Sequence, residues 1–255
     1  MSIVKIDSPH NPKYKRLLSL LTDSKGRRKA GQFVIEGRRY VEEAIAHRPE
    51  SIDVTIGIDV ESPMANTHWI LSQSLLKKAS ILGNSDGAMA IVNRPLYPPF
   101  SHLGVRLGLI LDGIQNPSNM GAIVRNAVAF GVDEVIITPG SCDPFHPEAI
   151  RAMAGNWYQI PIRTLDVSSW STPPDEIEWV ILDRSGQRGF SDIRTDRPCW
   201  VVIGSEGNGL VTPFLKDKRR NHSVSIQMDN KVESLNAAVT SGIVLHYLSM
   251  SKAPQ

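Results

Sequence analysis

Apolar positions along the chain fall into short runs and helical repeats, separated by polar or proline-bearing breaks. Asn11 precedes Pro12, a capping residue before a first-turn proline, and Leu17, Leu18, Leu20 and Leu21 then recur at helical spacing. Gln32 to Ile35 reads as a strand and Gly37 to His47 as a second helix. Ile52 to Ile58, His68 to Leu71 and Ala88 to Val92 read as further strands, with a helix over Ser72 to Ala79. This alternation predicts a small α/β unit.

Arg94 to Phe100 then holds three prolines in seven residues, a density that no helix or central strand tolerates. The reading is therefore an N-terminal domain over 1–94, a proline-rich linker over 95–103 and a C-terminal domain over 104–255. In the C-terminal domain the strands are Leu107–Leu111, Glu134–Thr138, Trp179–Leu182, Trp200–Ile203 and Val224–Ile226. Helices are expected over Gly121–Phe130, from His146-Pro147-Glu148 to near Gly155, and over Ser234–Met250. Buried-type strands separated by helices imply a mostly parallel sheet. The last helix repeats Leu235, Ala238, Val239, Gly242, Ile243, Leu245 and Leu248, a stripe wider than one sheet face requires. It is expected either deep in the core or against another subunit.

Charge changes this picture mainly in its distribution. The net charge is only +2, yet residues 1–50 carry eleven Lys and Arg against six acidic residues, densest at Lys25 to Lys29. A basic arm suits a polyanion, and a solvated helix face explains the same charges. The two cysteines, Cys142 and Cys199, exclude a disulfide scaffold and a Cys-rich zinc site. The first residues lack a signal-peptide pattern and no run reaches the ~20 apolar residues of a membrane helix, so a cytoplasmic protein is expected.

Three segments concentrate groups that could carry chemistry, each at a predicted strand end, where parallel sheets place their ligands. Asn116-Pro117-Ser118-Asn119-Met120-Gly121 leads into a helix bearing Arg125; Asn119 is a candidate helix cap. Gly204-Ser205-Glu206-Gly207-Asn208-Gly209-Leu210 runs G-x-x-G-x-G, the reverse of the dinucleotide signature, and no Walker lysine follows. It reads as a backbone-exposing loop with one carboxylate, Glu206; a plain glycine turn is the alternative. Glu233-Ser234-Leu235-Asn236 sets hydroxyl, amide and carboxylate at a helix start, where capping explains some of them but not all. His146 and Glu148 lack the P-C-x-x-C partner of a zinc deaminase, and Asp183 to Gly186 reads as a turn.

Taken in order and spacing, Asn116–Arg125, Gly204–Leu210 and Met228–Ile243 resemble the SpoU (TrmH-like) branch of the SPOUT RNA methyltransferases. Ser8 to Lys13, Arg28, Gly31, Phe33, Glu36 and Gly37 resemble that family's N-terminal substrate-binding domain. The resemblance implies an α/β fold with a mostly parallel sheet and a deep C-terminal trefoil knot, preceded by a small α/β RNA-binding domain related to ribosomal proteins. It implies S-adenosylmethionine bound among Thr138, Gly204, Ser205, Glu206, Ile226, Met228, Leu235 and Asn236, with no metal. It also implies a homodimer with active sites at the interface, and RNA, foremost ribosomal RNA, held by Lys13, Arg27, Arg28, Lys29 and Arg38. Gln227 stands where the family usually has proline.

The reaction implied is methylation of a ribose 2′-hydroxyl, with Arg125, Asn119, Glu206, Ser234 and Asn236 as the catalytic group. By resemblance Arg125 activates the hydroxyl. A guanidinium holds its proton far above neutral pH and is a poor base, so stabilisation of the forming alkoxide is the expected role. Two alternatives stand beside this reading: a transfer RNA 2′-O-methyltransferase, and a non-catalytic RNA-binding or ribosome-assembly protein that keeps the fold.

Overall fold

The computed structural model describes residues 2–59, 66–81, 87–101, 104–167, 177–207, 209–229 and 231–250, without the side chains of 218–221. Asn208, Asn230 and the last two linker positions lie outside the described residues. The chain divides into two compact units, Met1–Tyr97 with Phe145–Tyr158, and Pro98–Pro144 with Gln159–Gln255.

The first unit carries β1 (Ser2–Ile6), α1 (Pro12–Thr22), α2 (Ser24–Ala30), β2 (Gln32–Glu36), α3 (Arg38–His47), β3 (Ile52–Gly57), β4 (Thr67–Leu71), α4 (Gln73–Ala79) and β5 (Met89–Asn93). Its five-stranded sheet runs β1-β4-β3-β5-β2, with β5 antiparallel to both its neighbours. Helix α1 starts where Asn11 accepts the Lys13 amide at 2.9 Å, and it buries Tyr14, Leu17, Leu20 and Leu21 on one face. The basic cluster at Lys25 to Lys29 is itself a helix, α2, capped by Asp23 through the amides of Lys25 and Gly26. Neither α2 nor β1 was evident from the pattern, because α2 is too short and polar to repeat and β1 lies at a sheet edge, mostly exposed.

The second unit follows with β6 (Leu107–Asp112), α5 (Pro117–Ala129) and β7 (Glu134–Ile137). The next helix, α6 (Pro147–Met153), was read as part of the C-terminal domain, yet it packs on β2 in the first unit. His146 caps it, its Nδ1 accepting the Glu148 amide at 3.3 Å. Phe145 and Trp157, on either side of α6, meet Phe33 of β2 at 4.9 and 5.1 Å between ring centroids. Back in the second unit come β8 (Ile162–Thr164), β9 (Glu178–Leu182), β10 (Cys199–Gly204), α7 (Pro213–His222), β11 (Ser223–Val224) and α8 (Ala237–Met250).

These six strands form one wholly parallel sheet in the order β11-β9-β10-β6-β7-β8. Its central strands are buried on both faces, as parallel sheets require. One face packs Ile110, Ile136, Trp179, Ile181, Trp200 and Val202 together with Leu215 of α7. Gly108 is forced by this packing: it pairs with Trp200, and a Cβ there would lie 2.2 Å from the indole ring. Helices α5 and α8 pack on each other, and Asn126 donates to the Ala238 carbonyl at 2.8 Å and to Ser241 Oγ at 2.9 Å.

Two expectations for this region change. The run Val224–Ile226 keeps strand pairing only through Val224, beyond which the backbone turns into the loop before α8. The last helix begins at Ala237 rather than Ser234, which leaves Ser234 and Leu235 in that loop. Its apolar stripe does divide: Ala237, Val244, Leu245 and Leu248 are buried, whereas Val239 and Ile243 stay 51% and 37% exposed.

Candidate active site

The carboxyl ends of β6, β10, β9 and β11 lie side by side in the sheet, and the three polar segments follow β6, β10 and β11 at this edge. Asn116, not Asn119, caps α5, accepting the amides of Ser118 and Asn119 at 2.8 and 3.2 Å. That leaves the Asn119 side chain free to reach across the edge. Its Nδ2 donates to Glu206 Oε1 at 2.6 Å, and its Oδ1 accepts from Asn236 Nδ2 at 3.0 Å.

Glu206 also accepts the Ala237 amide at 3.0 Å, and Asn236 Oδ1 accepts the amides of Ala238 and Val239. The carboxylate thus sits at the amino end of α8, where unpaired N–H groups and the helix dipole favour negative charge. An Asn236–Asn119–Glu206 relay results, built from residues 87 and 117 positions apart in sequence. The glycine loop is tight enough to hold this geometry. Ser205 and Gly209 exchange both backbone hydrogen bonds at 2.9 Å, and a Cβ on Gly204 would lie 2.5 Å from the Gly209 carbonyl carbon.

Two cavities flank Glu206. The larger, about 280 Å³, is lined by Ile203, Val224, Ile226, Met228 and Leu235, with Gly204, Ser205, Ser234 and Thr240 as polar or small members. The smaller, about 150 Å³, is lined by Gln115, Asn116, Asn119 and Gly207. Ser205, Glu206 and Ala237 belong to both. An apolar pocket at the low end of the usual ligand-site range thus adjoins a polar cleft, with one carboxylate on their shared wall. S-adenosylmethionine matches such a pocket: its adenine needs apolar walls and close backbone approach, which the Gly204 turn permits.

Of the expected cofactor residues, Gly204, Ser205, Glu206, Ile226, Met228 and Leu235 line the larger cavity, as does Ser234. Asn236 is two hydrogen bonds away from Glu206, through Asn119. Thr138 lines neither cavity; it is 1% exposed and donates its hydroxyl to Asp112 at 2.7 Å. Arg125 is exposed on α5, lines neither cavity, and among the described residues no hydrogen bond or ion pair engages it.

In the first unit Lys13, Arg28 and Lys29 are exposed, and Arg38 lies near Glu42 at 4.0 Å. Arg27, expected on the same RNA-facing surface, is turned inward instead. It is 1% exposed and donates to the carbonyls of Leu20 and Leu21 at 3.0 and 3.4 Å, closing the end of α1, so its guanidinium does not face solvent. Sequence reasoning also passed over two contributors. Asp183 and Arg184, read only as a turn, line the larger cavity. Asp112, a carboxylate ending an apolar strand, is fully buried beneath the loops, and its place at the carboxyl edge was the available signal.

An open parallel sheet with an apolar strand-end pocket beside a polar relay is the arrangement of an α/β protein that holds a small ligand at its carboxyl edge. Residues 106–246 match the family described as the SpoU rRNA Methylase family, and residues 11–90 match the MRM3-like substrate binding domain. An uncharacterised tRNA/rRNA methyltransferase of Synechocystis is 30% identical, over 96% of this chain and 93% of its own. The 23S rRNA (guanosine(2553)-2′-O)-methyltransferase RlmP of Bacillus subtilis is 26% identical, over 96% and 98%. The rRNA methyltransferase of Sinorhizobium meliloti has the same fold, with a TM-score of 0.84 at 21% identity and full coverage of both chains. The chain belongs to the SpoU rRNA methylase family and is an RNA methyltransferase.

Proposed function

We propose that the protein methylates a ribose 2′-hydroxyl of ribosomal RNA, as a cytoplasmic homodimer whose C-terminal segment follows the family's knotted path. The observation that carries this reading is the Asn236–Asn119–Glu206 relay on the wall between an apolar pocket and an open polar cleft. The relative RlmP is a 2′-O-methyltransferase of 23S rRNA, which supports both the hydroxyl and the RNA class.

Ile203, Val224, Ile226, Met228 and Leu235 would hold the adenosine half of the cofactor, with Gly204 giving the backbone close approach. When bound, S-adenosylmethionine supplies an electrophilic methyl on sulfur, with a thioether as leaving group. Transfer of that methyl to the ribose oxygen would release the neutral thioether, and the hydroxyl proton would be lost to solvent. Asn119 and Glu206 face the smaller cleft, where they can orient the ribose for in-line attack. Arg125 stabilises the forming alkoxide as a planar cationic donor.

In the single chain Arg125 lies outside both cavities. The exposed Val239 and Ile243 on α8 supply the surface for a second copy, so the reading places Arg125 at work in the paired enzyme. Among the described residues, no helix is long and apolar enough to cross a membrane.

Calorimetry with S-adenosylhomocysteine tests the pocket. The wild type should bind, and Leu235→Glu should abolish binding by burying a charge in the apolar wall. No heat from folded wild-type protein would remove the reading.

A further inference from the structure

The Glu206 loop begins at Gly204 and ends at Thr212, and one residue outside it touches both ends. Asp112, the last residue of β6, pairs in register with Gly204 at the loop's entry. Its carboxylate takes up the exit: Oδ2 accepts the Val211 and Thr212 amides at 2.7 and 3.0 Å, and Oδ1 accepts the Thr212 hydroxyl at 2.6 Å. Oδ1 also accepts the Thr138 hydroxyl at 2.7 Å, at the end of β7.

Asp112 is 0% exposed and lines neither cavity, and among the described residues the hydrogen bonds of its carboxylate go to Thr138, Val211 and Thr212 rather than to Asn119, Glu206 or Asn236. A carboxylate taken out of water is costly unless its lone pairs are filled, and four donors fill these. Charge-assisted bonds to backbone amides are among the stronger and shorter hydrogen bonds, so this clasp is stiff. What it grips is the segment that carries Glu206 into contact with Asn119 and Ala237. Glycine-rich loops have many accessible conformations, and this one must place a carboxylate to within a few tenths of an ångström.

Resting on the methyltransferase reading above, we infer that Asp112 is a positioning residue for methyl transfer. It closes the Glu206 loop into a fixed span and so sets Glu206 against Asn119 without touching substrate or cofactor. Thr138 belongs to the same clasp through its hydroxyl.

A double-mutant cycle separates this role from a general contribution to folding. Transfer of labelled methyl from S-adenosylmethionine to total RNA from cells lacking the gene is measured for Asp112→Ala, Asp112→Asn, Glu206→Ala and the double variants, each checked for folding by circular dichroism. Asp112→Ala should lower kcat about a hundredfold, the scale of a catalytic group misplaced by roughly 1 Å, with the KM for RNA little changed. Asp112→Asn keeps one acceptor oxygen for the two amides and should recover part of the rate.

In a Glu206→Ala background, removing Asp112 should cost no more than about twofold, because residues acting as one unit are not additive. Equal losses in both backgrounds, or a folded Asp112→Ala enzyme at wild-type rate, would overturn the inference. If Asp112→Ala fails to fold, the same cycle with Asp112→Asn decides: coupling to Glu206 supports the inference and independence overturns it. An inactive wild type with this RNA would instead strike the methyltransferase reading beneath it.

Discussion

At the scale of single residues, the site depends on side chains whose partners lie far away in sequence. Glu206 reads from sequence as a carboxylate on a glycine turn, and Asn119 as a cap. Folding gives the cap to Asn116 and turns Asn119 onto Glu206. Arg125 has no such setting in the single chain, and its proposed role rests on the charge it carries into the reaction. Arg125→Ala should lower kcat by about a hundredfold to a thousandfold, the usual cost of losing one preorganised donor, and leave S-adenosylhomocysteine affinity intact. Arg125→Lys keeps the charge but loses the planar fork and should recover only part of the rate, as single-turnover kinetics would show. Cys142 offers a separate check on local structure. Burial, with Asp143 beside it, pushes its thiol up to about 11, so it stays protonated at neutral pH. Alkylation by iodoacetamide should be slow at pH 8 and accelerate towards pH 11; rapid labelling at pH 8 would contradict the half-buried setting beside Asp143.

At the scale of elements, strands and helices with long apolar patterns were legible, and those set by context were not. Leu107–Leu111 and Trp200–Ile203 announce buried parallel strands, and the helix bearing Arg125 follows its own cap. The helix α7 was missed because its run of Lys and Arg hides the few apolar residues, Phe214 and Leu215, that dock it. In α2 the charge pattern misled in a different way, since one of its arginines points inward. Arg27→Ala should therefore cost about 1–3 kcal/mol in thermal or denaturant unfolding by stranding the Leu20 and Leu21 carbonyls. Arg28→Ala should stay within about 0.5 kcal/mol. Neutralising Lys13, Arg28 and Lys29 together should instead weaken RNA binding and flatten its salt dependence, because each phosphate contact releases counterions. Unchanged RNA affinity in that variant would make the cluster a solvated face.

At the scale of the molecule, the proline-rich break suggested a simple two-domain order, and the structure adds a segment that no local pattern reveals. Phe145–Tyr158 lies between two strands of the parallel sheet in sequence, yet it completes the core of the first unit around Phe33. Residues 1–97 alone should fold poorly, with weak near-ultraviolet dichroism, and fusing 145–158 to them should restore it. In assembly, the exposed apolar face of α8 should bury in a twofold pair. Light scattering should give about 56 kDa, twice the 28.1 kDa chain, and Ile243→Glu should give the monomer.

Methylation of a ribose oxygen on RNA is tested most directly by nucleoside analysis with mass spectrometry. RNA from cells lacking the gene would be incubated with the purified protein and S-adenosylmethionine, then digested to nucleosides. A gain of one 2′-O-methylnucleoside in ribosomal RNA, absent with Arg125→Ala, is the expected result. Methyl groups found on a base, or none transferred by folded wild-type protein, would contradict it.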